Sequence, residues 1–182
     1  MKKIMNKGFT LVELLIVIAL LGALAIGLIG ALDPFEQLKK GTDTGVRNTV
    51  SEFHSAVIRY YALKGYMPWC LSSECAVFDP VGITSATGMD LGSLTADVIS
   101  RIVSTGELKS NFASIQSAQL GKIFVSGAAQ DLVVCYKPES KSFKADMNTK
   151  FTSKLGDVDT AGTYCKSGTG ATATNDCYWC VR

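Results

Sequence analysis

The sequence contains a single histidine, His54, among its 182 residues. No serine or cysteine motif supplies it with a nucleophile. The chain also has neither a glycine-rich phosphate-binding loop nor the paired histidines of a metalloprotease. His54 follows Phe53 in a helical pattern, where a packing or surface role is the ordinary one. We therefore predict that the chain is not an enzyme, with no catalytic residue and no cofactor.

Dense runs of basic residues are also missing. The formal net charge is +2 at pH 7, and Lys2, Lys3 and Lys7 all lie within the first eight residues. Without that stretch the charge would be about −1, because 15 of the 18 basic residues would face 16 acidic ones. Nucleic-acid binding depends on a basic patch, often with interleaved aromatic residues. The sequence therefore predicts no specific nucleic-acid partner.

Charge is nearly absent from Phe9 to Leu32, where Glu13 is the only charged residue. As a helix, this apolar run would extend roughly 36 Å, enough to cross a bilayer. One interpretation is a secretory signal cleaved after Ala23-Leu24-Ala25, which would leave a secreted or tethered binding protein that begins near Ile26. The other is a retained membrane helix. Length favours the second, because a secretory signal core spans only about 7–15 residues.

Glu13 helps to separate these interpretations. A carboxylate inside an apolar run costs about 2.5–3.5 kcal/mol on membrane-insertion scales. Such a residue is a functional candidate, and a secretory signal gains nothing from it. The structural alternative is that Glu13 lies at shallow depth and extends its carboxylate to the membrane interface.

The stretch Lys7-Gly8-Phe9-Thr10-Leu11-Val12-Glu13-Leu14-Leu15 resembles the class III signal of type IV pilins and type II secretion pseudopilins almost residue for residue. The resemblance implies that a prepilin peptidase cuts after Gly8 and N-methylates Phe9. It also implies that Glu13 is the assembly residue. In a filament core, Glu13 would pair with the Phe9 amine of a neighbouring subunit. A buried charge is tolerated only when paired, so this pair would set the axial register.

The resemblance favours a structural subunit of an extracellular type IV pilus. A pseudopilin of a type II secretion system, whose short filament acts as a piston, is the alternative, and the signal does not separate the two. Either protein would assemble with itself or with other pilins. Either would depend on prepilin peptidase, a membrane platform and an assembly ATPase. Before assembly it would be a single-pass protein of the cytoplasmic membrane, and afterwards part of a cell-surface filament.

The helical pattern continues beyond the apolar run. Asp33-Pro34-Phe35-Glu36 is a helix start signal, so a kink or restart is expected near residue 33. Gly65 and Pro68 are expected to end the helix. Between these signals, apolar residues recur at steps of three and four, which is typical of an amphipathic helix on a core: Val46, Val50, Phe53, Val57 and Tyr60.

These patterns divide the chain into four segments. Residues 1–8 form the leader, and residues 9–32 form the transmembrane or filament-core helix. Residues 33–66 form the amphipathic half of the helix, and residues 67–182 form a globular head. The expected fold class is α+β. A long N-terminal helix, with a protruding apolar half, would pack on a small antiparallel sheet whose C-terminal region is stapled by disulfides.

Within the head, the sequence predicts one further helix and three strands. Residues 94–103 have helical spacing, and residues 122–126 form a strand. Residues 84–93 are rich in small polar residues and are expected to be a surface loop. The clearest strand covers residues 131–137, and a turn would join it to a strand over residues 142–146 in a β-hairpin.

All six cysteines lie in the part that would be exported, where an even number indicates disulfides: Cys70, Cys75, Cys135, Cys165, Cys177 and Cys180. Short-range closure favours Cys70 with Cys75, and Cys135 is expected to pair with a C-terminal cysteine. Cys177-x-x-Cys180 could also indicate a redox motif, or a zinc site with Cys165 and His54. The tail lacks the βαβ context of a redox motif, so structural disulfides are favoured.

Asp157 and Asp159 form a weak candidate site for calcium. Oxygen ligands at alternate positions suit this ion, and Gly162 follows shortly after. Pseudopilins often bind calcium in a late loop, so the resemblance suggests the same here. The spacing is not that of an EF-hand, and exposed turns commonly contain such residues. We therefore expect no metal.

Overall fold

The computed structural model describes residues 8–31, 33–79, 81–84, 88–94, 96–158, 165 and 177–182. They belong to two compact units, one within Met1–Leu38 and the other within Lys39–Arg182. The first unit is helical where it is described. The second contains the sheet and the apolar core.

Two helices account for most of the first 64 residues. Helix α1 spans Leu11–Ala31, and helix α2 spans Pro34–Lys64. The boundary between them lies at the predicted restart. Proline suits a first helical position because its φ is already helical and no partner is needed for an amide hydrogen. The Asp33 carboxylate caps α2 by accepting a hydrogen bond from the Glu36 amide at 3.2 Å.

Helix α2 packs one side into the core of the head. The residues of its predicted apolar stripe are each at most 3 % exposed: Val46, Val50, Phe53, Val57 and Tyr60. The helix ends before Gly65, whose φ of +78° is easily adopted by a residue without a Cβ. The Gly65 amide donates to the Tyr61 carbonyl at 2.8 Å and closes the last turn.

Four antiparallel strands form one sheet in the order β1-β2-β3-β4. They are Met89–Asp90 (β1), Ile123–Gly127 (β2), Leu132–Tyr136 (β3) and Trp179–Val181 (β4). Burial alternates along β2, because Ile123 and Val125 are fully buried while Phe124, on the other face, is half-buried. The buried face and the α2 stripe belong to one apolar core, which confirms the α+β class.

Short helices connect these elements. They are α3 (Ala96–Ser104), α4 (Phe112–Ile115), α5 (Ser117–Leu120) and α6 (Lys141–Lys144), together with 3₁₀ turns at Val81–Thr84 and Leu91–Ser93. Helix α3 confirms the helix predicted over residues 94–103, and β2 confirms the strand predicted over residues 122–126. Trp69 is fully buried within this core. Its Nε1 donates to the Ala128 carbonyl at 2.9 Å, just beyond the end of β2.

The predicted hairpin between residues 131–137 and 142–146 is wrong. Strand β3 pairs with β2 on one side and with β4 on the other, and residues 141–144 form α6. The Ser140 hydroxyl caps α6 by accepting from the Phe143 amide at 3.4 Å. The Ser140 amide donates to the Asp43 carboxylate of α2 at 2.8 Å. This tertiary hydrogen bond, together with the cap, holds the segment as a helix start where the local pattern suggested a strand.

The surface loop predicted over residues 84–93 is also partly wrong. It contains β1, which pairs Met89 with Val125 of β2, and a 3₁₀ turn in which Leu91 is fully buried. Residues 85–87 of that prediction lie outside the described residues. The strand went unrecognised because two residues are too short to show an alternating pattern.

Candidate processing and assembly site

Glu13 makes a reciprocal hydrogen-bonded arrangement with Thr10 at the start of α1. Its Oε2 accepts from the Thr10 amide at 2.8 Å and from the Thr10 hydroxyl at 2.8 Å. The Glu13 amide in turn donates to the Thr10 hydroxyl oxygen at 3.3 Å. This is a capping box, in which two otherwise unpaired amides at a helix start are satisfied by side chains. The Thr-x-x-Glu spacing is a sequence signature of such a box, and it gives Glu13 a local structural role beside the predicted role in assembly.

Gly8 and Phe9 precede this cap in a non-helical segment. The Phe9 side chain is 82 % exposed, and a Cβ added to Gly8 would meet nothing within 4 Å. Exposed, irregular backbone is the kind of segment that peptidases cut. The bond between Gly8 and Phe9 is therefore accessible, with the helix beginning two residues after Phe9, at Leu11.

Helix α1 presents apolar side chains on every side. Every large apolar residue that the structure describes in it is exposed, from Leu11 to Ile29. Among the described helices, Leu11–Gly30 alone is long and apolar enough to cross a membrane, since 20 residues extend about 30 Å. A surface of this kind requires lipid or protein to cover it.

The family model described as the prokaryotic N-terminal methylation motif matches residues 4–29. The chain carries the class III signal of type IV pilins and pseudopilins. Such a signal implies processing by prepilin peptidase and assembly with other pilins. With α1, it indicates membrane anchoring before assembly into a surface filament. No curated protein and no solved structure matches the chain.

The structure pairs the six cysteines as Cys70–Cys75, Cys135–Cys180 and Cys165–Cys177. The first pair agrees with the short-range prediction, and the second joins β3 to a C-terminal cysteine as predicted. Cys135 and Cys180 lie directly opposite each other in the β3–β4 register. A bridge of this kind stabilises a fold by about 2–4 kcal/mol, chiefly by restricting the unfolded chain.

The disulfides also bear on the zinc and redox interpretations of Cys177 and Cys180. These two cysteines bond to different partners, so they are not the two halves of one redox disulfide. Cys165 is likewise bonded and cannot act as a thiolate ligand beside His54. With this pairing, none of the three cysteines offers a thiolate ligand to zinc.

His54 lies half-buried on α2. Burial lowers its pKa, because desolvation disfavours the charged imidazolium. Its Nε2 is buried and makes no hydrogen bond. A neutral, partly buried imidazole on the helix fits the packing role expected for this residue.

Asp157, one of the two weak calcium candidates, lies in a turn. Its backbone carbonyl accepts from the Thr152 amide at 2.8 Å, and its carboxylate accepts from the Ser153 hydroxyl. Asp159 lies outside the described residues. No group of three or more metal-binding side chains occurs in the described part of the chain.

Two polar side chains of α2 attach the head to this helix, namely Asp43, which is buried, and Arg47, which is partly buried. Neither was singled out by the local patterns. Asp43 is 2 % exposed. Its carboxylate accepts from the Glu139 amide at 3.0 Å, and from the Ser140 amide at 2.8 Å and hydroxyl at 2.6 Å. Charge-assisted bonds of this kind are about twice as strong as neutral ones. Asp43 therefore holds the chain that follows β3 against α2.

Arg47, one helical turn after Asp43, contacts the other side of the same region. Its guanidinium lies 4.7 Å from the ring centroid of Phe143 and 4.6 Å from that of Trp179 in β4. It also pairs with Asp146 at 2.7 Å. The pKa of Asp146 is lowered, first by the hydrogen bond from the Asn148 amide and then by that from Arg47. Through Arg47, α2 contacts both α6 and the C-terminal strand.

Proposed function

We propose that this chain is a structural subunit of an extracellular type IV pilus, cut after Gly8 and N-methylated at Phe9. The observation that supports this most directly is the class III signal, which runs without interruption into an apolar helix with a single carboxylate. The head adds an exported, disulfide-bonded domain of the size that a filament subunit would display.

The geometry around Glu13 suggests how one residue could serve both the precursor and the filament. In the isolated chain, its carboxylate is held by the Thr10 amide and hydroxyl. A charged group with hydrogen-bond partners is less costly in an apolar environment than one without them. Glu13 therefore has partners of its own before any other subunit is present.

Cleavage after Gly8 would then create a positive amine at Phe9, beside the start of α1. A cation is unfavourable there, because the N-terminal end of a helix dipole is itself positive. In the filament, Glu13 of one subunit would exchange its Thr10 contacts for the Phe9 amine of a neighbour. Because a buried charge pair must have good geometry to be stable, that exchange would fix the axial step between subunits. Methylation would keep the charge of the amine while adding apolar surface.

The first test is the mature N-terminus, measured by mass spectrometry on the wild-type chain and on Gly8→Val. We expect the wild type to begin at N-methyl-Phe9 and the variant to retain residues 1–8. A Cβ at position 8 meets no atom of the chain itself, so a defect would come from recognition by the peptidase and not from misfolding. Gly27→Val, with equally open surroundings, is the matched control and should be processed normally. A wild-type N-terminus near Ile26 would contradict the proposal.

The alternative is a type II secretion pseudopilin, which would share this processing. Shearing of intact cells distinguishes the two. A pilus subunit should appear in the sheared extracellular fraction as long filaments. Loss of enzyme secretion in a deletion strain, without sheared filaments in the parent, would instead support the pseudopilin and overturn the pilus.

A further inference from the structure

Five lysines from separate segments of the compact unit Lys39–Arg182 line one concave surface, which we call the lysine groove. They are Lys39, Lys122, Lys137, Lys144 and Lys154, and Glu139 is the one acidic residue among the described residues of the lining. The cavity has a volume of about 640 Å³, within the range of sites that bind small molecules or a segment of a polymer. The lysines come from the first turns of α2, the residue before β2, the residue after β3, the end of α6 and the loop after Phe151.

The described residues that line the lysine groove have a formal charge of +4, from five lysines and one glutamate. Without the three leader lysines, the whole chain has 15 basic residues (18 − 3) against 16 acidic ones. One third of the remaining basic residues therefore lie on this single surface of a nearly neutral protein. A concave surface of one sign focuses the electrostatic field and attracts ligands of the opposite sign.

Two of the lysines make contacts with other residues of the lining. Glu139 pairs with Lys122 at 2.7 Å, and the Lys154 ammonium lies 3.6 Å from the ring centroid of Phe124. Within the described part of the chain, no carboxylate lies at ion-pair distance from Lys39 or Lys144. Like charges gathered in one concavity repel each other, and an anionic ligand would relieve that repulsion.

The lining also indicates which kind of anion fits. Lysine is a point charge that suits phosphate oxygens, whereas arginine makes the bidentate contacts that read base edges. No arginine lies on the described lining. The Phe124 face is covered by Lys154, and Tyr178 is 7 % exposed and packs edge-on against Phe124. These rings do not offer the open faces on which unpaired bases stack.

We propose that the lysine groove binds a phosphodiester backbone through its charges, contacting about four phosphates without reading a base sequence. Each phosphodiester carries one negative charge, so four of them match the formal charge of +4. The lysines belong to the unit Lys39–Arg182 and the class III signal lies outside it. The proposal is therefore independent of whether the chain forms a pilus or a pseudopilus.

The test is the salt dependence of binding to a fluorescein-labelled DNA duplex, followed by anisotropy. The protein is the chain from Phe9 onward in an uncharged detergent, because the leader lysines would add cations of their own. With about four phosphates contacted, the slope of log K against log salt should be about −3.6. Affinity should then fall about 150-fold between 50 and 200 mM salt.

Three variants connect this slope to the lysine groove. Lys39→Gln with Lys144→Gln removes half of the net charge and should reduce the slope to about −1.8. Lys64→Gln with Lys109→Gln removes two exposed lysines elsewhere and should leave the slope unchanged. Glu139→Gln raises the net charge of the groove to +5, so it should strengthen binding and steepen the slope to about −4.5.

Several results would overturn the proposal. One is an equal loss of binding in the two double-lysine variants, because binding would then follow total charge. Weaker binding by Glu139→Gln, or no measurable binding at 50 mM salt, would also contradict it. A heparin fragment that binds the same lysines more tightly than the duplex would assign the groove to sulfated glycans and not to phosphodiesters.

Discussion

Replacement of Glu13 by alanine separates the two roles that the structure gives this carboxylate. The first role is local, because Glu13 completes a capping box with Thr10 through hydrogen bonds of 2.8 Å. Loss of such a cap costs about 1 kcal/mol of helix stability. The second role is the proposed pair with the Phe9 amine of a neighbouring subunit. Removal of one partner from a buried charge pair costs about 3–5 kcal/mol, because the other charge is left unpaired.

The two roles therefore predict different losses of free energy when Glu13 is removed. A loss of 3 kcal/mol corresponds to about a 150-fold weaker subunit interface, which should remove Glu13→Ala from the filament. Glu36→Ala is the matched control, since Glu36 lies three residues after Asp33 at the start of α2, as Glu13 lies after Thr10. That control loses a glutamate at an equivalent helix start without touching the proposed pair. It should assemble almost normally.

The assay compares the fraction of each variant in sheared filaments with the fraction left in membranes, after mass spectrometry has shown that both are cut after Gly8. Glu13→Gln adds a third measurement, because glutamine keeps the size and hydrogen-bonding capacity but not the charge. It should fail to assemble as Glu13→Ala does. The charge-pair mechanism is refuted if Glu13→Ala assembles as well as Glu36→Ala, or if Glu13→Gln enters filaments as well as the wild type.

The head supports three further predictions, all measured by denaturant unfolding. Gly127→Ala should destabilise the head by about 1–3 kcal/mol, because the new Cβ would lie within 2.7 Å of Trp69 Cε2 in a filled core. The control Gly121→Ala has open space around the new Cβ and should change stability by less than about 1 kcal/mol. Asp43→Ala should cost about 3 kcal/mol, since three donors would lose a buried carboxylate, and an unchanged midpoint would contradict that anchor. Burial raises the pKa of Tyr136 to about 12 from an ordinary value of 10. The stability that this raised pKa gives the folded state should be complete below pH 10 and lost between pH 10 and 12, because the unfolded phenol ionises first. Tyr136→Phe should remove that part of the alkaline decline at little cost near neutral pH, because the hydroxyl makes no hydrogen bond; identical alkaline curves for wild type and variant would count against this.

Local patterns predicted the two long N-terminal helices well. The restart at Asp33-Pro34, the apolar stripe of α2 and the stop at Gly65 all depend on neighbours within one or two helical turns. Such features are determined by hydrogen bonds and φ preferences of adjacent residues, so the sequence is sufficient to place them. The Thr10–Glu13 capping box belongs to the same class and could have been recognised from its spacing.

The strands of the sheet were harder to predict from local patterns. Strand β4 is three residues long and comes more than 40 residues after β3, so its pairing depends on a contact that no local window contains. The segment over residues 142–146 has strand-like composition, yet the Ser140 cap and the Asp43 carboxylate hold its start as α6. Tertiary hydrogen bonds overrode a weak local preference there.

The sequence by itself determined the N-terminal signal, the apolar helix with its single carboxylate and the presence of three potential disulfides, because each is written in adjacent residues or in composition. Only the tertiary structure decided which cysteines pair and how α2 is attached to the head. It alone also gathered Lys39, Lys122 and Lys154 with two further lysines on one surface. The chain shows no basic cluster when read in order, because these lysines are spread over more than 110 residues. Folding brings their charges together, and electrostatic interaction depends on distance in space and not on separation along the chain.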